Sequence, residues 1–380
     1  MAKIVIVGPA HPLRGGIATF NERLAIAFMV DGHEVTIFSY SLQYPSLLFP
    51  GKTQISDALP PVGVTIRSTI NSINPHSWWR TGAEISALEP DIVLVRYWMP
   101  FMSPALSTIV SRIKKKTHNS PIILGFIDNA LPHERRVGDH FFAQLLFKQL
   151  GGFVTMSHKV HTDVASLSSL PVLETPHPLY DNFGERVDRT VALSKLSLPD
   201  GVKIFLFFGF IRHYKGLDLL IKALDLLPED FEDFRLLIAG EFYGGEDEIL
   251  TLIASSHHAE KIILHSSFIA NSQIKYYFSA ADAVVQPYRS ATQSGVTPLA
   301  YHFEVPMIVT DVGGLPDMVP PSLGEVCTPD PSGLAAAMQR ILRLDTERFK
   351  VAIKDEKSKF QWSTMTDAIV GFAQTLKSKK

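Results

Sequence analysis

The sequence predicts an α/β protein built from two doubly wound halves, each a parallel sheet covered by helices. Short runs rich in Val, Ile and Phe alternate with longer segments of helical period, the pattern left by parallel strands and their crossover helices. These runs fall into two sets on either side of a proline-bearing stretch. A length of 380 residues suits two or three domains.

In chain order, the first set places strands at Lys3 to Val7, Glu34 to Ser39, Gly63 to Ile66, Asp91 to Tyr97, Pro121 to Ile127 and Phe153 to Met156. The second places them at Lys203 to Gly209, Phe234 to Ala239, Lys261 to Leu264, Asp282 to Gln286, Pro306 to Thr310 and Gly324 to Val326. Phe205 to Phe208 and Ala283 to Val285 are apolar throughout, as strands covered on both faces are. Between the sets, Pro171, Pro176, Pro178 and Pro199 remove backbone donors and discourage both helix and central strand, which puts the hinge there. The expected organisation is a first domain over 1–180, a linker over 181–200 and a second domain over 201–361. A terminal helix over 362–380 is expected to pack back toward the first domain.

With 46% hydrophobic and 19% charged residues the chain is not mainly disordered. Thirty-six Lys+Arg against 38 Asp+Glu leave a formal charge of -2, so no bulk field draws it to nucleic acid or anionic lipid. Any anion must be held locally. The single cysteine, Cys327, excludes an internal disulfide framework and a cysteine-based structural zinc site, and suggests a reducing compartment, the cytoplasm. No secretory signal is legible where Met1 to Val7 runs straight into a strand. Apolar stretches such as Ile204 to Ile211 fall well short of the roughly 20 residues that span a bilayer.

In the first half, Gly8-Pro-Ala-His-Pro-Leu-Arg-Gly-Gly follows a strand and opens a helix. Gly15 and Gly16 let backbone N–H groups approach an anion, although a plain glycine turn reads the same way. Neither G-x-G-x-x-G nor a phosphate-loop lysine motif is present. Arg96, Tyr97, Asp128, Asn129, His133 and Glu134 follow or end strands, where ligands of open α/β sheets bind. His133 suits backbone capping equally well, and Arg135 and Arg136 suit a solvated face.

In the second half, Phe207-Phe-Gly-Phe-Ile-Arg-His-Tyr-Lys-Gly sets Arg212 and Lys215 at a strand end beside a helix start, a combination suited to a diphosphate. Two exposed cations making weak surface pairs are the structural alternative. Gly240 and Glu241 end the next strand. Thr292 or Ser294 is expected to cap a helix whose first N–H groups, near Gly295 to Thr297, form a second anion cradle. Gly313-Gly314 permits close chain approach after another strand.

Taken in order, the Gly15-Gly16 loop, Gly209 through Gly216, Ile238-Ala-Gly-Glu241, Ala281-Asp282 through Pro287, Pro306-Met-Ile-Val-Thr with Gly313-Gly314, and Phe360-Gln-Trp362 resemble the "glycosyl transferase group 1" family. The resemblance implies a GT-B fold, two Rossmann-like domains facing a central cleft, and a retaining glycosyltransferase of the hexosyltransferase class; no cage of Asp and Glu at ligand spacing is legible, so metal independence is expected, with cations in place of a divalent ion. The resemblance also implies transfer from a nucleotide diphosphate sugar, the co-substrate, to a hydroxyl of a glycan or lipid-linked acceptor in cell-envelope or polysaccharide biosynthesis, with no cofactor and no nucleic-acid partner. Arg212, Lys215, His133 and Asp128 are then the catalytic candidates. Gly15, Gly16, Gly209, Gly240, Glu241, Gln293, Ser294, Gly295, Val296 and Thr297 join Arg212 and Lys215 around the donor, while Arg96, Tyr97, Asn129 and Glu134 take the acceptor. The expected location is cytoplasmic; segments such as Tyr44 to Lys52, Trp78-Trp-Arg or Lys114-Lys-Lys suit peripheral contact at the inner membrane face, and suit a buried loop and a solvated helix end at least as well.

The chain departs from the family pattern at several places. Two family glutamates fall at Ala291 and Leu299, whose side chains cannot accept a hydroxyl hydrogen bond, so Gln293, Ser294, Thr297 or Glu241 must take over. The family arginine is Phe210 here, with Arg212 two residues on, and a family histidine falls at Ile127, leaving His133 as its substitute. A non-catalytic relative that binds sugar nucleotides or glycans is therefore the alternative, and a nicotinamide oxidoreductase is opposed by the missing fingerprint.

Overall fold

Two structural units divide the chain in the computed structural model: Met1–Pro178 with Gln361–Lys380, and Leu179–Phe360. The structure describes every residue except 46–52, 57–58, 118, 132–137, 180, 182, 292–293, 344 and 379–380.

The first unit runs β1 (Lys3–Val7), α1 (Gly16–Val30), β2 (Glu34–Leu42), β3 (Thr65–Asn71), α2 (Pro75–Ala87), β4 (Ile92–Tyr97), α3 (Ser103–Lys116), β5 (Ile122–Ile127), α4 (Asp139–Phe147), β6 (Gly152–Thr155), α5 (His158–Leu167) and β7 (Val172–Glu174). Its sheet is parallel in the order β3-β2-β1-β4-β5-β6-β7. Every residue of β4 and β5 is buried, Arg96 included, and Ile92 to Val95 and the whole of β5 are the apolar runs that central strands show. Local chemistry starts the helices: Asn74 accepts from the N–H of His76 ahead of α2, and Ser157 from that of Val160 in α5.

The second unit runs α6 (Arg189–Leu196), β8 (Lys203–Phe208), α7 (Leu217–Leu224), β9 (Phe234–Ala239), α8 (Glu246–Ser255), β10 (Ile262–His265), α9 (Asn271–Ala280), β11 (Ala283–Gln286), α10 (Val296–His302), β12 (Met307–Thr310), β13 (Gly324–Cys327), α11 (Pro331–Ile341) and α12 (Thr346–Lys357). Its parallel sheet has the order β10-β9-β8-β11-β12-β13, and Phe205, Phe207, Leu236, Ile238 and Val285 pack in its core. The last helix, α13 (Trp362–Ser378), belongs to the first unit: Trp362, Met365, Ile369 and Ala373 are buried, and the helix packs on α1, β5 and β7. Where the second unit begins and ends, the Leu179 N–H donates to the Phe360 carbonyl at 3.0 Å.

Three elements differ from the sequence reading. β3 lies at Thr65–Asn71 rather than Gly63 to Ile66, because an edge strand with polar, half-exposed residues breaks the apolar-run pattern. β7 occupies the proline-bearing stretch. Pro171 serves it by accepting from the Phe153 N–H, a role that needs no proline donor at a sheet edge. Residues 181–200 carry α6, capped by Asp188 and packed against α9, and fall within the second unit.

Candidate active site

In the second sheet the strand order reverses beside β8, which has β9 on one side and β11 on the other. Loops leaving two such strands diverge, and ligands of doubly wound sheets bind where they part. Backbone bonds hold the first part of the loop after β8. The Gly209 N–H donates to the Ala239 carbonyl and the Ile211 N–H to that of Glu241, while the Tyr243 N–H returns to the Ile211 carbonyl. A Cβ at Gly240 would sit 2.1 Å from the Gly209 carbonyl oxygen, so only glycine allows these loops to touch.

Lys215 ends a single 3₁₀ turn, His213–Lys215, entered from Arg212. Its ammonium is buried, 3.0 Å from where a Cβ of Gly209 would lie and 5.6 Å from the Tyr288 ring centre. Burial, reinforced by the charge of Arg212, lowers its pKa from 10.5 to about 7. Arg212 is exposed and lies 4.9 Å over the Tyr243 ring. Among the described residues neither cation has a carboxylate within ion-pair distance. Arg289 differs: its guanidinium forks onto Asp218 at 2.6 and 2.7 Å and clamps the loop after β11 to α7.

That loop carries Tyr288, whose hydroxyl lies 3.4 Å from Ser294 Oγ and whose carbonyl accepts from Thr310. Gly313 is in the left-handed region (φ 57°) and presses on the Ala291 backbone, where a Cβ would lie 1.5 Å from the carbonyl oxygen. Gly295, not Ser294, caps the seven-residue α10, and Ser294 Oγ accepts from the Val296 N–H. Val296 is buried with its methyl 3.9 Å from the Gly209 Cβ position. Thr297 does not face a ligand: it is fully buried and its hydroxyl is engaged with the Gln286 amide at 3.0 Å. Leu299 is buried apolar surface. Gly209, Lys215, Gly240, Ser294 and Val296 thus come together with Arg212 at the rim. Glu241, beside them, is buried.

Sequence reasoning missed Tyr288, Tyr243 and Phe268. Tyr243 and Phe268 flank Phe210, with centroids 4.4 and 6.4 Å from its ring. Their one sequence signal is a position just past a strand end.

The first unit has its own reversal beside β1. Gly15 caps α1 at φ 115°, with nothing within 4 Å of its Cβ position, so the backbone at Gly15 and Gly16 is approachable. Arg96 and Asp128 are turned inward. Arg96 Nε donates to Asp128 Oδ2 at 2.7 Å, Nη2 donates to Oδ1, and the guanidinium lies between Phe20 and Phe126 at 4.3 and 4.1 Å. This buried pair ties the ends of β4 and β5 together and does not present an acceptor-binding arginine or a catalytic carboxylate. Burial holds neighbouring His177 down at about 4, hence neutral. Tyr97 is core: it is fully buried, packs edge-on against Phe147, and its hydroxyl reaches the Ala130 carbonyl. Asn129 is half-buried just after β5. His133, Glu134 and Gln293 lie outside the described residues. Among the described residues, no group of three or more His, Cys, Asp or Glu is placed to hold a metal, and no helix is long and apolar enough to cross a membrane.

The profile described as "Glycosyl transferases group 1" matches residues 188–358. The D-inositol 3-phosphate glycosyltransferase of Pseudarthrobacter chlorophenolicus is 30% identical over 338 residues, 79% of this chain and 75% of the relative. This chain belongs to the group 1 glycosyl transferase family. Other members match over less. The D-inositol 3-phosphate glycosyltransferase of Xylanimonas cellulosilytica is 26% identical over 50% of this chain and 47% of its own length. A glycogen synthase of Thermus thermophilus is 28% identical over 53% and 45%. The chain therefore spans about half the length of several curated family relatives. The fold is GT-B: sucrose-phosphate synthase of Thermosynechococcus elongatus superposes with a TM-score of 0.76 at 16% identity, covering all of both chains. Anabaena HepE, solved in complex with UDP and glucose, does so at 0.71 and 16%, also covering all of both.

Proposed function

We propose that this group 1 family member transfers a sugar from a nucleotide diphosphate sugar to a hydroxyl of a glycan or lipid-linked acceptor in envelope or polysaccharide synthesis, with retention and without a metal or other cofactor. The observation that carries the proposal is Lys215, a buried ammonium with no carboxylate partner among the described residues at the strand reversal of the second unit. Burying an uncompensated cation is costly, and a diphosphate supplies the missing charge.

In the reaction the bond from the anomeric carbon to the diphosphate oxygen breaks and the electron pair leaves with the diphosphate. Lys215 and Arg212 meet that growing charge, which removes the need for a divalent ion. The acceptor oxygen bonds to the same carbon from the face the diphosphate vacates, and its proton passes to a leaving phosphate oxygen. Arg212 stands where the exposed end of the donor would reach it, and Tyr288 closes the other side of the ammonium. Asn129, with His133 and Glu134 further along, is assigned to the acceptor. Arg96 and Asp128 hold the strand ends from which that segment departs.

A non-catalytic binding relative is the second reading, favoured by Ala291 and Leu299, which offer no polar side chain. Melting curves against a panel of nucleotide diphosphates and their sugars, followed by turnover with glycan and lipid-linked acceptors, test both. A ligand at 100 times its dissociation constant adds about 2.7 kcal/mol. Binding with turnover supports transfer, binding without hydrolysis or transfer of any donor supports the second reading, and no binding overturns transfer and leaves of the second reading only a glycan-binding protein.

A further inference from the structure

We propose that Tyr243 is the positioning residue of Arg212: its ring holds the guanidinium ready for a diphosphate, and Phe210 and Phe268 brace that ring. The inference deepens the reading of Arg212 as a donor contact and rests on it. β8 and β9 end at Phe208 and Ala239, yet the two chains stay paired beyond them. The Gly209 N–H reaches the Ala239 carbonyl, the Ile211 N–H that of Glu241 and the Tyr243 N–H that of Ile211, each at 2.9 Å, and Ile211 bridges to Phe242. Residues 210–212 therefore run on as extended chain, with Arg212 at φ -137° and ψ 152°. Successive side chains of extended chain point to opposite sides. Ile211 turns into the core at 2% exposure, which leaves Phe210 and Arg212 together on the other side, about 6–7 Å apart along the chain. Tyr243, from the loop after β9, enters that interval. Its ring centre lies 4.4 Å from that of Phe210 and 4.9 Å from the Arg212 guanidinium carbon, and Phe268, past the end of β10, lies 6.4 Å from Phe210.

A cation over an aromatic face is attracted by the quadrupole of the ring. Arg212 is exposed and, among the described residues, in no ion pair, so the Tyr243 ring supplies its orientation. An arginine free in solvent samples many rotamers, and fixing one on binding weakens affinity by about three- to tenfold. A side chain already laid on a ring has lost that freedom on folding. Lys215 needs no such support, because its own 3₁₀ turn buries it. Phe210, where the sequence departs from the family pattern, thereby has a use. The arginine two residues on projects from the same side of the chain, and Tyr243, braced by Phe210, fills the interval between them.

The test is titration calorimetry of the full chain with inorganic pyrophosphate, UDP and ADP. Arg212→Ala should weaken all three by about tenfold or more, the loss of a charge-assisted contact. Tyr243→Leu should weaken all three by about three- to tenfold, and Tyr243→Phe, which keeps the ring, by less than about twofold. In the Arg212→Ala background Tyr243→Leu should have no further effect, because the ring acts only through the guanidinium. Phe210→Leu should weaken pyrophosphate by about two- to threefold with the same dependence on Arg212, and it carries the test if Tyr243→Leu lowers the melting temperature. Effects of Tyr243→Leu and Arg212→Ala that multiply overturn the inference and leave the donor reading standing. So does a Tyr243→Leu loss confined to UDP and ADP, which would make the ring a stacking surface for the base. Failure of the parent protein to bind any of the three, or indifference of all three to Arg212→Ala, overturns the donor reading of Arg212 and the inference with it.

Discussion

Replacing Lys215 by Met should stabilise the fold while removing most of the activity. The lysine is buried and held near pKa 7, against 10.5 when solvated, with no carboxylate to compensate it among the described residues. Because its folded-state value lies below the unfolded one, the unfolded chain binds the extra proton between pH 7 and 10.5, and stability rises with pH through that window. Below pH 7 the full penalty is present, on the order of 4–5 kcal/mol at about 1.36 kcal/mol per decade of proton affinity. Methionine has nearly the same reach and no charge, so about 2–4 kcal/mol of the penalty should return as stability near pH 6.5, roughly 5–15 °C in melting temperature. By about pH 9 the gain should have fallen by half or more, since the parent lysine is then largely neutral. Turnover should drop by about 100 to 1,000-fold, the usual loss when one group facing a developing anion is removed. Calorimetric melting of both proteins from about pH 6 to 9, beside steady-state rates, checks all three expectations. An unchanged or lowered melting temperature near pH 6.5 would show that the ammonium is compensated in the free protein, and the argument for a diphosphate beside it would fail.

Binding of a nucleoside diphosphate at pH 8 should take up about 0.9 proton, because Lys215 is about nine-tenths neutral before the anion arrives. Titration calorimetry in two buffers of different ionisation enthalpy measures this, and zero uptake refutes it. Affinity should accordingly fall by about tenfold per pH unit above 8 while the bound lysine stays charged, and a flat profile counts against the lysine contact. Turnover should persist in excess EDTA, since Lys215 and Arg212 neutralise the leaving group; complete loss restored by magnesium or manganese would reverse that assignment. Thr297→Val should cost about 1–3 kcal/mol of stability by stranding the buried Gln286 amide, and should leave donor affinity intact. A weakened donor constant in a normally stable variant would return Thr297 to the binding surface.

The two-sheet architecture was legible because fully covered strands such as Ile204 to Phe208 and Ile92 to Val95 leave unbroken apolar runs. β3 was misplaced and β7 missed because edge strands need only one paired side, so Thr65–Asn71 carries polar residues and Pro171 serves as an acceptor. Arg212 and Lys215 stood out as cations directly past a strand end, a local feature. The pairing of Thr297 with Gln286, and of Arg96 with Asp128 across 32 residues, is tertiary, and no spacing rule announces it. Tyr288 and Tyr243 went unread for a related reason: an aromatic residue in a loop has no period, and its meaning comes from the ammonium or guanidinium beside it.

The hydrogen bond joining Leu179 to Phe360 bears on synthesis as much as on architecture. The second unit is an insertion whose ends meet, and the first is a discontinuous domain that closes only with α13. Residues leave the ribosome in order, and domains ordinarily fold as they emerge. Here the amino-terminal unit must wait through the translation of 182 residues, Leu179–Phe360, before Trp362 can reach Phe20 and Thr366 can bond Asp31. The inserted unit has all of its strands by Cys327 and its last helix by Lys357, so it can mature first. Order of completion is the reverse of order of appearance: a chain ending at residue 360 would carry every element of the second unit and a first unit still lacking α13.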